Sequence, residues 1–163
     1  IFSWKKSSAV KIMKARIALL FVALLFSLSA CRTRGKAYGD EEIEAFDKVL
    51  THIGDGNTKA YDLRAYEDCV AGRIPGFFCM RALRDGEART VEEIASDLIV
   101  LLGKKHNYRI ILIDYDGEDS RRFTEIMNAS GFHNIHYFAG GYDRYAELKG
   151  EEFTPETGEC DGC

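Results

Sequence analysis

Four carboxylates crowd one short loop, Asp114, Asp116, Glu118 and Asp119, around a single glycine, Gly117. Before the loop stand four apolar residues, Ile110 to Ile113, which read as a buried strand. After it Ser120 opens a segment with Phe123, Ile126 and Met127 at helical spacing, and Gly131 stops that segment. Strand, tight loop and helix place reactive groups at the carboxyl end of a sheet strand, where backbone N–H groups and a helix N-terminus attract anions. The loop itself holds no Arg, Lys or Cys, so a place shaped for an anion is filled with negative side chains. Clustered carboxylates can bind a hard divalent cation through oxygen, which makes Asp114, Asp116 and Asp119 candidate ligands, although their spacing is not that of an EF-hand loop. The other chemistry-bearing residues are five cysteines. Cys160 and Cys163 form a C-x-x-C, as a disulfide, a metal pair or a redox centre. Cys69 and Cys79 are either a disulfide or two free core residues. His52, His106, His133 and His136 stand at no revealing spacing to a Cys, Ser or carboxylate and read as surface histidines.

The elements that must position these groups follow from pattern. Asp40 can cap a helix whose N-terminus Glu41, Glu42 and Glu44 suit, and whose apolar face is Ile43, Phe46, Val49, Leu50 and Ile53. Gly54, Gly56 and Asn57 break it, and Tyr61 to Leu63 read as a strand. Gly72 ends a short helix, and Pro75-Gly76 makes a fixed turn. Residues 85–89 read as a loop. Thr90 and Glu93 form a capping box for a helix lined by Val91, Ile94, Leu98 and Leu101 and closed by Gly103. Asn134 to Phe138 is a further strand, leading to Gly140-Gly141. Beyond Gly150 the chain reads as a loose acidic tail, residues 151–163.

Charge is divided unevenly. Residues 1–30 hold five of the 22 Lys and Arg and none of the 26 Asp and Glu, which leaves residues 31–163 with an excess of nine acids. That balance excludes a nucleic-acid binder. Lys14 and Arg16 precede an apolar run, Ile17 to Ala30, that is too short for a comfortable membrane span and fits the core of a signal peptide, with Met13 as the expected start and residues 1–12 upstream of it. Leu28-Ser29-Ala30-Cys31 resembles a bacterial lipobox. The resemblance implies cleavage before Cys31 and acylation of Cys31 with chains such as palmitate, which hold a protein on a membrane when two or more are present. The expected place is therefore the extracytoplasmic cell envelope of a bacterium. Arg32, standing where Asp would favour inner-membrane retention, leans toward the outer membrane. Residues 31–40 read as the lipidated cysteine and its tether.

Three separated stretches resemble the rhodanese-like domain family over residues 41–150. Asp62, Leu63, Arg64 and Glu67, then Gly72, Ile74, Pro75 and Gly76, sit at the positions of the family's first signature, with Arg73 where the family usually has His and Phe77 where it usually has Ala. Gly131-Phe132 matches the close of the family's catalytic helix. Gly140-Gly141, with Tyr145 in place of Trp, matches its ending. The resemblance implies an α/β fold: a central, mainly parallel sheet of five strands with helices on both faces. Counting back from Gly131 places Asp114 where the family carries its catalytic Cys, and Asp119 where it often has Arg. The active-site loop is then Asp114, Tyr115, Asp116, Gly117, Glu118, Asp119 and Ser120. A rhodanese cysteine holds sulfane sulfur as a persulfide, which a carboxylate cannot do. The expectation is thus an inactive, lipid-anchored module, a monomer without a cofactor unless the acids hold a divalent cation, which binds a partner in the envelope. One alternative is a sulfurtransferase or thiol-redox enzyme using Cys160/Cys163 or Cys79. A remote one follows from the likeness of I-L-I-D-Y-D-G to the first motif of haloacid-dehalogenase-type phosphatases, with Asp114 as nucleophile, Asp116 as acid/base and Mg²⁺. Glu118 in place of Thr, and the shortness of the chain after Gly131, count against it.

Overall fold

The computed structural model describes residues 35–81, 83, 84 and 86–159. The signal segment 1–30, the lipidation candidate Cys31 and the Cys160/Cys163 pair lie outside the described residues. Among the described residues no helix is long and apolar enough to cross a membrane.

The strands of the main sheet are β1 (Lys36–Tyr38), β2 (Thr58–Ala65), β3 (Phe78–Arg81), β6 (Arg109–Ile113) and β7 (Ile135–Phe138), in the order β1-β7-β6-β2-β3. Every pairing is parallel. Strand β6 lies at the centre, and Ile110, Ile111, Leu112 and Ile113 are all at 0% exposure, which is why its sequence is a continuous apolar run rather than an alternating one. Ile110 and Leu112 face a layer of helices α3 (Val91–Leu102) and α4 (Glu118–Ala129), with Leu98, Phe123 and Met127 in the same cluster. Ile111 and Ile113 face the layer of α1 (Ile43–Leu50) and α5 (Gly141–Lys149), against Phe46, Phe138 and Tyr145. The short α2 (Tyr66–Ala71) joins β2 to β3, and a small hairpin, β4 (Leu83–Arg84) with β5 (Glu87–Ala88), fills the stretch read as a plain loop.

Local signals account for several boundaries. Thr90 Oγ1 accepts the Glu93 N–H and the Glu93 carboxylate accepts the Thr90 N–H at 2.8 Å, which satisfies two donors that a helix start leaves open. Four sequence readings need correction. Residues 36–38 are not tether: β1 adds to the open edge of β7, Lys36 opposite His136. Leu101 is 72% exposed, because the buried stripe of α3 runs through Val91, Ile94, Ala95, Leu98 and Leu102. His136 is half-buried rather than a plain surface residue. Its Nε2–H donates to Asn134 Oδ1 at 2.8 Å and its Nδ1 accepts from the Tyr38 hydroxyl at 3.0 Å. Nor is the acidic tail loose over 153–159. Arg73 and Glu156 exchange two backbone hydrogen bonds of 2.9 Å, Gly158 N–H donates to the Val70 carbonyl, and Phe153 packs on Tyr142 and Tyr145. The buried Arg73 guanidinium holds this strap, donating to Gly158 O at 2.5 Å and to the Glu156 carboxylate. That carboxylate also accepts the Gly76 N–H at 2.7 Å.

A pH dependence follows. Burial, reinforced by Arg109 and His52, pushes His136 down to about 4. The unfolded chain binds a proton there near pH 6.5, so between those values it holds more protons than the folded one. Stability supplied by neutral His136 is therefore complete above pH 6.5 and is lost as pH falls through 4, with a slope of at most about 1.4 kcal/mol per pH unit. Urea midpoints at pH 7 and pH 5 should separate more in the wild type than in His136→Gln; equal separations would remove His136 from the account.

Candidate functional site

The carboxyl ends of the parallel strands meet at one edge, and the loop 114–117 stands there between β6 and α4. Two glycines lock it to its neighbour. Gly117 has φ 87° and Gly141 φ 72°, a left-handed backbone that side chains disfavour. A Cβ on Gly117 would overlap the Ala139 carbonyl, and one on Gly141 would overlap the Tyr115 carbonyl. The Tyr142 N–H then donates to the Asp114 carbonyl at 2.8 Å. The Gly-Gly pair thus serves close approach of two loops.

Asp114 is 1% exposed. Its carboxylate accepts the Gly117 N–H at 2.9 Å and the Ser120 N–H at 3.0 Å. The loop's inward-pointing donors are therefore answered by the chain's own anion. Burial pushes the Asp114 carboxyl above the usual carboxylate range, the Ser120 and Gly117 N–H groups oppose that, and Asp119 adds to it.

The remaining loop acids are answered too, one of them by a distant residue. Asp119 forms an ion pair with Arg81 at the end of β3, and Glu118 accepts from Arg121 at 2.9 Å. Exposed Asp116 accepts the Glu118 N–H at 3.1 Å. Asp114, Asp116 and Asp119 do not converge on a common point, and among the described residues no three His, Cys, Asp or Glu side chains are grouped to hold a metal. Tyr115, 46% exposed, folds back over α2, its hydroxyl accepting the Ala65 N–H at 3.0 Å and donating to the Asp68 carboxylate.

Behind the loop, β2 delivers a buried lock. Asp62 (0% exposed) receives the Arg64 guanidinium through Nε at 3.1 Å and Nη2 at 2.7 Å. Arg64 Nη2 also donates to Gly72 O at 2.6 Å, and the guanidinium lies 3.6 Å from the centre of the Tyr142 ring. The lock ties β2 to the turn after α2 and, through Tyr142, to the Asp114 backbone.

Cys69 and Cys79 are joined in a disulfide ten residues apart in sequence, both buried, linking α2 to β3. Closing so short a loop is expected to contribute about 2.5 kcal/mol, so full reduction should lower the urea midpoint accordingly. A midpoint indifferent to reduction would show the bridge to be energetically idle. Cys79 thus has no free thiol to offer as a nucleophile while the bridge stands.

Sequence reasoning missed Arg81 and Glu156, and gave Arg73 only as a departure from the family's His. The signal for Arg73 and Glu156 was slight: a lone Arg beside Gly72 and an acid near Pro155, with nothing local to join them.

Comparison with known proteins agrees with the fold. The sequence profile of the Rhodanese-like domain matches residues 45–148. No curated protein matches the chain. Among solved structures, the Alr3790 protein of Anabaena sp. superposes with a TM-score of 0.52 at 15% identity over 74% of this chain and 81% of that one. An EanB variant in complex with ergothioneine gives a TM-score of 0.52 at 16% identity, covering 71% of this chain and 32% of that chain. At these identities the likeness is one of fold.

Proposed function

The chain belongs to the rhodanese-like domain family, and from that premise we propose that it is a membrane-anchored, non-catalytic member that binds a partner through the loop 114–119. One observation carries the reading: the Asp114 carboxylate, which the sequence resemblance puts at the family's catalytic Cys position, accepts the Gly117 and Ser120 N–H groups. A persulfide at this position would need those same donors. Thiosulfate would find them answered, and no thiol in the loop to accept sulfur. The surface left for a partner is exposed Tyr115, Asp116 and Glu118, which suits a basic or hydrogen-bonding face better than a bare cation.

Anchoring rests on the signal-like segment and on Cys31. The Cys69–Cys79 disulfide supports an exported protein, since such bridges persist in oxidising compartments. A phosphatase reading gains nothing, because a nucleophilic Asp114 would have to face its substrate and this one is enclosed. A second reading has one observation in its favour. The strap 153–159 lies against α2 and the turn after it, so the chain leads into the Cys160/Cys163 pair from a docked position rather than a free one.

The test is thiocyanate formation from thiosulfate and cyanide, with sulfite as co-product, by the full chain in detergent and by Cys160→Ser/Cys163→Ser. The expected result is none from either. Activity in both would overturn the inactive-site reading. Activity lost with the two serines would move the nucleophile to the tail.

A further inference from the structure

The opposite end of the sheet has a character of its own. All five strands start there, so the loops 51–57, 103–108 and 130–134 share it with Gly35, where the described chain enters. The Gly35 N–H donates to the His133 carbonyl, and next to it the Phe132 ring lies 4.6 Å from the His106 ring. His106 follows exposed Lys104 and Lys105, and these follow the last turn of α3, which exposes Val100 (82%) and Leu101 (72%). Elsewhere the outer face of α3 is polar, with Glu92, Glu93, Ser96 and Asp97 exposed. Two bare aliphatic side chains beside two lysines are thus an exception to the helix's own pattern. Asp55 is the one acid in the three loops, and it is already paired with His52 and Arg109. The site loop at the far end carries four acids over six residues.

We infer that this end, through Val100, Leu101, Lys104 and Lys105, rests on an anionic lipid bilayer. The inference rests on the anchoring reading and deepens it. Apolar side chains at the headgroup boundary with lysines reaching phosphates are the composition of a membrane-surface contact. The chain reaching Gly35 leaves only four residues after Cys31, a contour of at most about 14 Å, so an acylated Cys31 holds this end of the sheet close to the bilayer. Strand β6, about 17 Å long at five residues, then separates the bilayer from the loop 114–119, which faces away from it, open to a partner.

The test uses the full chain in three settings: vesicles of phosphatidylcholine with phosphatidylglycerol, vesicles of phosphatidylcholine alone, and detergent micelles. Acylation of Lys104 and Lys105 by an amine-reactive reagent is followed by mass spectrometry relative to Lys149. The expected result is labelling slowed about fivefold or more on the anionic vesicles. Val100→Asp/Leu101→Asp, which alters exposed positions only, should abolish that slowing while the chain still floats with the vesicles. Equal labelling in all three settings overturns the inference: with floating intact the anchoring reading survives, and without floating it falls too. Slowing of equal size on neutral vesicles would show mere proximity and also overturn it. So would shielding seen in native membranes but in no lipid vesicle, which would assign the patch to a protein.

Discussion

Arg64→Met lowers the stability of the folded domain by about 3–5 kcal/mol in a urea titration. The side chains are close in volume, so packing is nearly preserved and the loss is electrostatic. Asp62 is fully buried and takes its countercharge and three side-chain hydrogen bonds from the Arg64 guanidinium, keeping only the Arg64 backbone N–H when that group is lost. Without the guanidinium the carboxylate is stranded, and Gly72 O and the Tyr142 face lose their donor and cation. Asp62→Leu/Arg64→Met should cost less than the single variant, since removing both charges leaves nothing unpaired. A single-variant loss under about 1 kcal/mol would mean that water reaches the pair and that the lock is a surface ion pair in disguise.

The parts of this fold legible in sequence are those whose reasons are local. Ile110 to Ile113 announce a central strand because both faces are buried. Gly117 announces the loop's left-handed turn, and Thr90 with Glu93 announces the start of α3. Asp62 and Arg64 stand two residues apart and find each other within one strand. What stays hidden depends on partners far along the chain. Lys36 to Tyr38 has no strand signal of its own, and its conformation comes from the free edge of β7. Leu98 is followed by Leu101 and Leu102, two equal candidates for the next buried position, and only the pitch of α3 against Met127 and Phe132 selects Leu102. The tail's composition is that of a disordered end, but Arg73 needs an anion in its buried position and Glu156, 83 residues away, supplies it. The site shows the same division. Its acids, counted in sequence, read as mutual repulsion around an empty anion cradle. In the fold Asp114 fills the cradle, Arg81 answers Asp119 and Arg121 answers Glu118. The contradiction of the primary sequence is removed by two cations and two backbone amides.

Those pairings set the outcome of placing a cysteine at 114. Asp114→Cys alone yields no thiocyanate above the wild-type background. A thiolate at 114 would regain the Gly117 and Ser120 N–H groups, but it would also be buried, which raises a thiol's pKa, and the one cation at the end of β3 is cancelled by Asp119. Asp114→Cys/Asp119→Ala removes that pairing and frees the Arg81 guanidinium of its ion-pair partner in the loop. The thiol at 114 should then ionise about one pH unit lower than in the single variant, read as a shift in the pH profile of its alkylation by mass spectrometry. Sulfur transfer should emerge in the double variant only. The two readouts separate the causes. If the thiol pKa falls and no transfer appears, the loop lacks more than charge, and its shape excludes thiosulfate. If the single variant already transfers sulfur, the neutralised acids do not oppose the persulfide at all, and Asp114 by itself is what keeps this site silent.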